Sequence, residues 1–340
     1  VWKLLPILLL VARAASGGAP CAEVELEFIP RDGSSTTLDF ERILALELES
    51  SELRMTYDGE VQEGQEPPGI ELEMIETERI RFTSTYAVAG GELVEVRRHF
   101  LQLGNDFRQA ITDPAGESFE NESEGVSELE GVTVVFRREA NGGGFHAAFA
   151  DESSDMDTEL LEGLEARADL SGYLPDRPVE VGDTWEVDLA SFVSMTNLSG
   201  DLHVMLEGQD EEETRSYGRQ FDEHLDGDIH AELVELSEEA GQRLASVRLR
   251  MELTTHIEIA KEIEDDEVSG SEEERHGFEI EVEGLLVWDV GNDHARSVDL
   301  SGRVTLEVDV SKVYGFDGHE VEIAESQSFA GTVTFELSVD

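Results

Sequence analysis

Arg243-Leu244-Ala245-Ser246-Val247-Arg248-Leu249-Arg250-Met251-Glu252-Leu253-Thr254-Thr255-His256-Ile257-Glu258-Ile259 alternates apolar and polar residues from Ala245 onward. A period of two is the signature of a strand with one buried and one solvated face. The run is far longer than the usual five or six residues. A strand of that length belongs to a sheet that twists and bends, so the stretch implies a long, curved antiparallel sheet.

The same period recurs on both sides of it. Val24, Leu26 and Phe28 alternate with Glu23, Glu25 and Glu27, and further strands are expected at Ile43 to Leu48, Leu53 to Tyr57, Ile80 to Ser84, Leu93 to Leu103, Val132 to Arg138 and Phe145 to Phe149. Gly90-Gly91 and Asn141-Gly142-Gly143-Gly144 read as hairpin turns. After the middle of the chain, strands return at Leu202 to Leu206, Ile229 to Leu236, Phe278 to Val290, His294 to Val310 and Phe329 to Val339. The period changes once: Met156, Leu160, Leu161, Leu164 and Ala168 stand at helical spacing behind Asp155 and Asp157, with Gly172 and Pro175 beyond. The expected architecture is therefore mainly β, with curved antiparallel meanders and one central helix. Its parts are a leader over 1–21, a β half over 22–150, a linking helix within 151–173 and a second β half over 174–340. The acidic tracts Gln209 to Glu213 and Glu262 to Glu274 show no apolar face and read as solvated loops.

Charge narrows the partners. The chain has 340 residues with 79 Asp and Glu against 24 Lys and Arg, a formal net charge of -55. A phosphate backbone repels such a surface, which excludes nucleic acid, and anionic membranes are poor partners for the same reason. Spread over a folded surface, the charges stand roughly 16 Å apart, beyond the ~3 Å Debye length of molar salt but close to the ~10 Å of dilute buffer. Lys3, Lys261 and Lys312 are the only lysines. High acid with little lysine suits a protein of concentrated brine; a highly soluble exported protein in ordinary salt and weak Ca²⁺ or Mg²⁺ buffering by acidic loops are the other readings.

At the N-terminus, Lys3, the apolar run Leu4 to Val11 and Ala12-Arg13-Ala14 have the form of a secretory leader. The run is too short to span a bilayer. The expected location is therefore the periplasm, the cell envelope or the medium. Cys21 stands where a bacterial lipoprotein carries its lipidated cysteine, although Pro20 before it spoils the lipobox. One cysteine excludes an internal disulfide and any CxxC site.

Catalytic patterns are absent: there is no phosphate-binding glycine loop and no G-x-S-x-G, and His319-Glu320 lacks the second histidine of HExxH. Asp155, Asp157 and Glu159 begin like a calcium loop, but Leu160 stands where the turn glycine belongs. His224, Asp226, Asp228 and His230 share one face of an extended chain, which offers two imidazoles and two carboxylates to a divalent metal; Gly227 and the local density of acids support a solvated turn and strand start instead.

The least random stretch is Leu174-Pro175-Asp176-Arg177-Pro178-Val179-Glu180-Val181-Gly182-Asp183-Thr184-Trp185-Glu186. Pro178 fixes an extended approach, Val179 and Val181 alternate, Gly182-Asp183 turns, and Trp185 suits a core position with its indole N–H on a carbonyl. These 13 residues resemble the P-V-x-V-G-D-T-W signature of uncharacterised exported bacterial proteins and lipoproteins. The resemblance implies a curved sheet wrapped on a helix, a half-barrel similar to periplasmic lipid carriers, and carries no catalytic residues. Pro178, Val181, Gly182, Asp183 and Trp185 are expected to serve folding. The functional expectation is a non-catalytic exported binding protein, without a cofactor and monomeric or weakly oligomeric, that holds a hydrophobic small molecule or lipid in a groove. The alternatives are an acidic structural protein that meets other envelope proteins and, more distantly, a metal-dependent hydrolase.

Overall fold

The structure, a computed structural model, describes residues 23–62, 69–140, 143–151, 155–206, 211–264, 269–316 and 319–340. A first meander comprises β1 (Ser35–Tyr57), β2 (Glu60–Gln62), β3 (Glu71–Ala89), β4 (Glu92–Thr112), β5 (Ser118–Val126), β6 (Thr133–Arg138) and β7 (Phe145–Phe149). A connecting stretch holds β8 (Thr184–Val187), α1 (Leu189–Thr196), β9 (Met205–Leu206) and α2 (Glu211–Glu223). The second meander is β10 (Asp226–Glu239), β11 (Gln242–Glu264), β12 (Ser269–Asp289), β13 (His294–Phe316) and β14 (His319–Val339).

Among the described residues 14 strands form one antiparallel sheet that does not close; its main path runs β7-β6-β4-β3-β1-β14-β13-β12-β11-β10-β8, with β2 paired to β1, and β5 to β4 and β9. Pairing of β1 with β14 joins the two meanders at the centre. The long alternating runs of the sequence explain this, because each keeps an apolar face over much of its length. β1 merges the two short strands expected within it, absorbing the change of phase in a bulge between Leu48 and Ser50. In the tract Glu262 to Glu274 the described residues are likewise ladder, where a loop was expected: β11 runs to Glu264, β12 starts at Ser269, and Lys261 faces Glu272 across the pair, while 265–268 lie outside the described residues. Of the other tract, Glu211 to Glu213 open α2 and the remainder lies outside the described residues.

The inner face of the sheet carries Leu38, Phe40, Ile80, Phe82, Phe100, Leu249, Leu253, Leu286, Leu300 and Phe335, all buried. The connecting chain laces this face from edge to edge. It leaves β7 at one margin and reaches β8 on β10 at the other, returns under Phe335 through Phe192 of α1 (ring centroids 5.9 Å) to β9 on β5, and crosses again as α2.

The helix expected over 156–170 does not form. Only a single 3₁₀ turn, Thr158–Leu161, follows the Asp157 cap, and helices stand instead at α1 and α2. Two competitors take its backbone. Leu164 bridges Gly200, with Glu165 N–H donating to the Ser199 carbonyl at 2.7 Å, and the buried Arg98 guanidinium takes the carbonyls of Glu165 and Ala166 at 2.8 Å each. Val24 and Leu26 are buried as their alternation predicts, yet they join no ladder; Val24 makes one bridge, to Val179. Leu202 to Leu206 is strand only at Met205–Leu206.

The sheet curls toward its inner face. Glycines 284, 302 and 331 stand on that face in adjoining strands, and an added Cβ at each would lie within 2 Å of a carbonyl oxygen on the neighbouring strand. Such close approach marks points where strands bend. The hydroxyl of Tyr217 on α2 is pushed upward by burial and by the carboxylates of Glu76 on β3 and Glu274 on β12. Those strands are four steps apart, about 19 Å in a flat sheet. α2 nonetheless packs on His276 of β12 through Tyr217 and shares a cleft with Glu78 of β3, because the sheet wraps around it.

Candidate functional site

The inner face divides into three zones along the strands. Nearest the covering chain it is apolar and buried. In the middle lies a polar band set by register: Arg42 of β1 faces Glu78 of β3, which faces Asn105 of β4, with Glu76 one row further. Arg42 Nη2 and Asn105 Nδ2 both donate to Glu76 Oε1 at 3.0 Å. Arg42 Nε lies 3.3 Å from Glu78 Oε2 without directing a hydrogen bond at it, and Glu78 Oε2 and Asn105 Oδ1 are buried with no hydrogen-bond partner. Burial raises the Glu78 carboxyl above its ordinary value despite Arg42, and Glu76 adds to the rise. Across the face, Tyr217 packs edge-on to His276 at 5.4 Å, and His276 Nε2 lies 3.4 Å from Glu274.

The third zone is the far end. There Leu53 and Met55 of β1 are 41% and 40% exposed, and Val310, Val321 and Ile323 are only half-buried. Register places all of them on the inner face, interleaved with Glu325, Gln327, Glu272 and Lys312. The connecting chain does not reach this far. Tyr217 on His276 (5.4 Å), Phe221 on Phe278 (5.7 Å) and Gln220 on the Glu258 N–H mark how far α2 extends over the sheet.

Between α2 and the turns Asn197 to Met205 opens a cleft of about 560 Å³ with Glu78 and Ile80 on the sheet wall. Ser199, Gly200 and His203 all have positive φ here, which folds the turns tightly. Arg215 pairs with Asp201 at 2.9 Å and meets His203 Nδ1 at 2.7 Å. Asn197 donates to Asp222, whose carboxyl is raised by burial against that hydrogen bond.

The expected metal cluster is not brought together. His224 lies in the turn after α2, stacked on His256 at 4.7 Å, while Asp226, Asp228 and His230 point from the outer face of β10 opposite Thr254, Glu252 and Arg250. Alternate residues on a strand stand about 6.6 Å apart and project in parallel, so they do not converge on one ion. Among the described residues no group of three or more His, Cys, Asp or Glu is placed to hold a metal.

The signature stretch makes an internal clasp. Val179 is fully buried and exchanges both backbone hydrogen bonds with Val24 at 2.9 Å, directly after Pro178. Val181 is exposed, and Gly182 turns at φ +98° to meet the Leu233 carbonyl. The Asp183 carboxylate accepts from the Glu180 N–H and from Arg177, which hold it below its ordinary value. Trp185 donates its indole N–H to the Tyr173 carbonyl at 3.0 Å. The leader over 1–21 and Cys21 lie outside the described residues.

Sequence reading passed over Arg98, Arg42, Glu76 and Glu78. Their signal is a charge at an inward position between apolar neighbours of the same phase, as in Val96-x-Arg98-x-Phe100 and Phe40-x-Arg42-x-Leu44.

No protein-family model and no curated protein matches the chain. Among solved structures, the crystal structure of an outer membrane channel from Pseudomonas putida F1 aligns with 93% of this chain and 98% of its own, at 9% identity and a TM-score of 0.19. A score that low is not a shared fold, and nothing about this chain follows from it.

Proposed function

We propose that this is an exported, non-catalytic binding protein that holds an amphiphilic small molecule against the inner face of its curled sheet. One observation carries the reading: the apolar row through Leu53, Met55, Val310 and Ile323 continues past the point where the protein's own chain covers it. Monomeric proteins seldom leave an inward apolar surface bare without a use for it. The polar band beside that row supplies the few placed polar groups that orient a ligand in a mostly apolar site. Export follows from the leader expected at Lys3 to Ala14. Native mass spectrometry of protein purified without detergent tests the reading. The expected result is an adduct of small-molecule mass that organic extraction removes; a bare polypeptide mass before and after incubation with neutral and charged amphiphiles contradicts it.

A further inference from the structure

We infer that β7 is a seam at which two copies of this chain pair, edge to edge and antiparallel about Ala147, into one continuous sheet. β7 ends the ladder, with β6 as its strand partner among the described residues. The Glu139 N–H on the Gly144 carbonyl (3.1 Å) and the Ala150 N–H on the Thr133 carbonyl (2.9 Å) fix the phase of that pair. Bonding alternates along an antiparallel strand, so His146 and Ala148 bond back to β6 while the N–H and C=O groups of Phe145, Ala147 and Phe149 point out along the open edge. Among the described residues no backbone group bonds to them. Open strand edges are normally blunted by charge, proline or a bulge. Other short strands off the central ladder follow that rule: β5 carries Glu120, Glu122 and Glu124, β2 carries Glu60 and β8 carries Glu186. β7, Phe145-His146-Ala147-Ala148-Phe149, has no carboxylate, lysine, arginine, proline or bulge, in a chain that is 30% charged.

The order of residues in the strand identifies a second copy as the occupant. A two-fold axis through Ala147 sets that residue opposite itself and Phe145 opposite Phe149 of the copy, and these are the residues whose amides point outward. Each facing pair then exchanges both N–H···O bonds, and the contact closes on itself as a dimer. The phenyl rings fall on the inner side, because Phe145, Ala147 and Phe149 pack against the core. That side opens on a cleft of about 620 Å³ whose other wall holds the half-buried Leu161 and Leu164, so the incoming Phe149 meets apolar surface. Charge favours the same partner, since a copy brings an uncharged strand to the seam, whereas self-pairing through β5 would set glutamates against glutamates. The two bodies, each at -55, still repel at longer range, so the dimer needs salt. An edge of five residues is small against the ~800 Å² per partner of a standard interface, so the dimer comes apart on dilution.

Sedimentation velocity of the full chain in molar NaCl, from micromolar to near-millimolar protein, tests the inference. The expected result is a doubling of mass with concentration that Ala147→Pro abolishes at an unchanged melting temperature, because proline there removes an outward N–H and leaves the β6 ladder intact. Should Ala147→Pro not fold, Ala147→Cys on a Cys21→Ser background decides. Residue 147 is the position of β7 that meets its own copy, at the ~5.5 Å Cα spacing of a bonded pair and within disulfide reach. Oxidation is expected to give a covalent dimer there and none for Phe119→Cys on the exposed strand β5. A monomer at every concentration overturns the inference and leaves the edge to a strand of another protein. A dimer that survives Ala147→Pro, or that does not cross-link at 147, places the contact elsewhere and overturns it as well.

Discussion

Arg98 shows how much one side chain decides. It is fully buried on β4 with no ion-paired carboxylate among the described residues, stacked over the rings of Phe82 and Phe136 at 4.5 and 5.2 Å, and its N–H groups go to Ser84, Ser199 and the carbonyls of Glu165 and Ala166. Desolvation pulls it down to about 10, still protonated at neutral pH. It pins the connecting chain to the sheet and displaces the helix that residues 156 to 168 were patterned to form. Arg98→Met leaves two buried carbonyls without donors and is expected to cost about 3 kcal/mol in denaturant unfolding, with amide exchange rising in 160–203. An unchanged midpoint would mean the guanidinium is not the pin. Glu78 gives a second expectation. A carboxyl raised in the folded state binds its proton more tightly there than in the unfolded chain. Its stabilising share is therefore present below the ordinary carboxylate value and lost as pH rises through the raised one. The stability of wild type relative to Glu78→Gln should thus fall as pH rises across that window at fixed salt; a flat difference speaks against the buried setting of Glu78.

At the scale of elements, alternation made the strands legible and said little about their ends. Arg243 to Ile259 lies within β11, but the described residues of the flanking acidic tract also proved to be strand, where Lys312 pairs with the inward Glu272, opposite Lys261, that composition alone assigns to water. Helices were harder to read. Their positions depend on contacts distant in sequence, such as Phe192 on Phe335 and Phe221 on Phe278, and the polar band of Arg42, Glu76, Glu78 and Asn105 exists only once β1, β3 and β4 are in register. The curl of the sheet was foreseen from strand length; the glycines that allow it were not, since nothing in the sequence distinguishes Gly302 from a turn glycine. An added methyl at 302 would meet the Glu281 carbonyl, so Gly302→Ala should destabilise by about 1–3 kcal/mol, read from a chemical melt. Gly90→Ala sits in an open turn at φ +65° and meets no atom, so its smaller cost comes from backbone strain alone. A Gly302 variant as stable as the parent would remove the bend from that position.

For the whole molecule, a net charge of -55 sits mainly on the outer face, where cross-strand pairs such as Arg79 with Glu41 and Arg303 with Glu281 neutralise only a minority of the carboxylates. Screening of the remainder should raise the melting temperature steadily from dilute buffer to molar NaCl. A melting temperature that stays level or falls over that range would show that outer-face repulsion does not limit stability. The central claim is that the inner face beyond Leu48 is a binding surface left open by the covering chain. Titration with Nile red, a neutral dye that brightens in apolar surroundings, tests this in 1 M NaCl on wild type and on Leu53→Glu/Ile323→Glu, two substitutions at partly solvated positions that the fold tolerates. Saturable brightening of wild type at one site per chain, abolished in the double variant while its melting temperature holds, is the expected result. No saturable binding to wild type, or equal binding to both proteins, would contradict it.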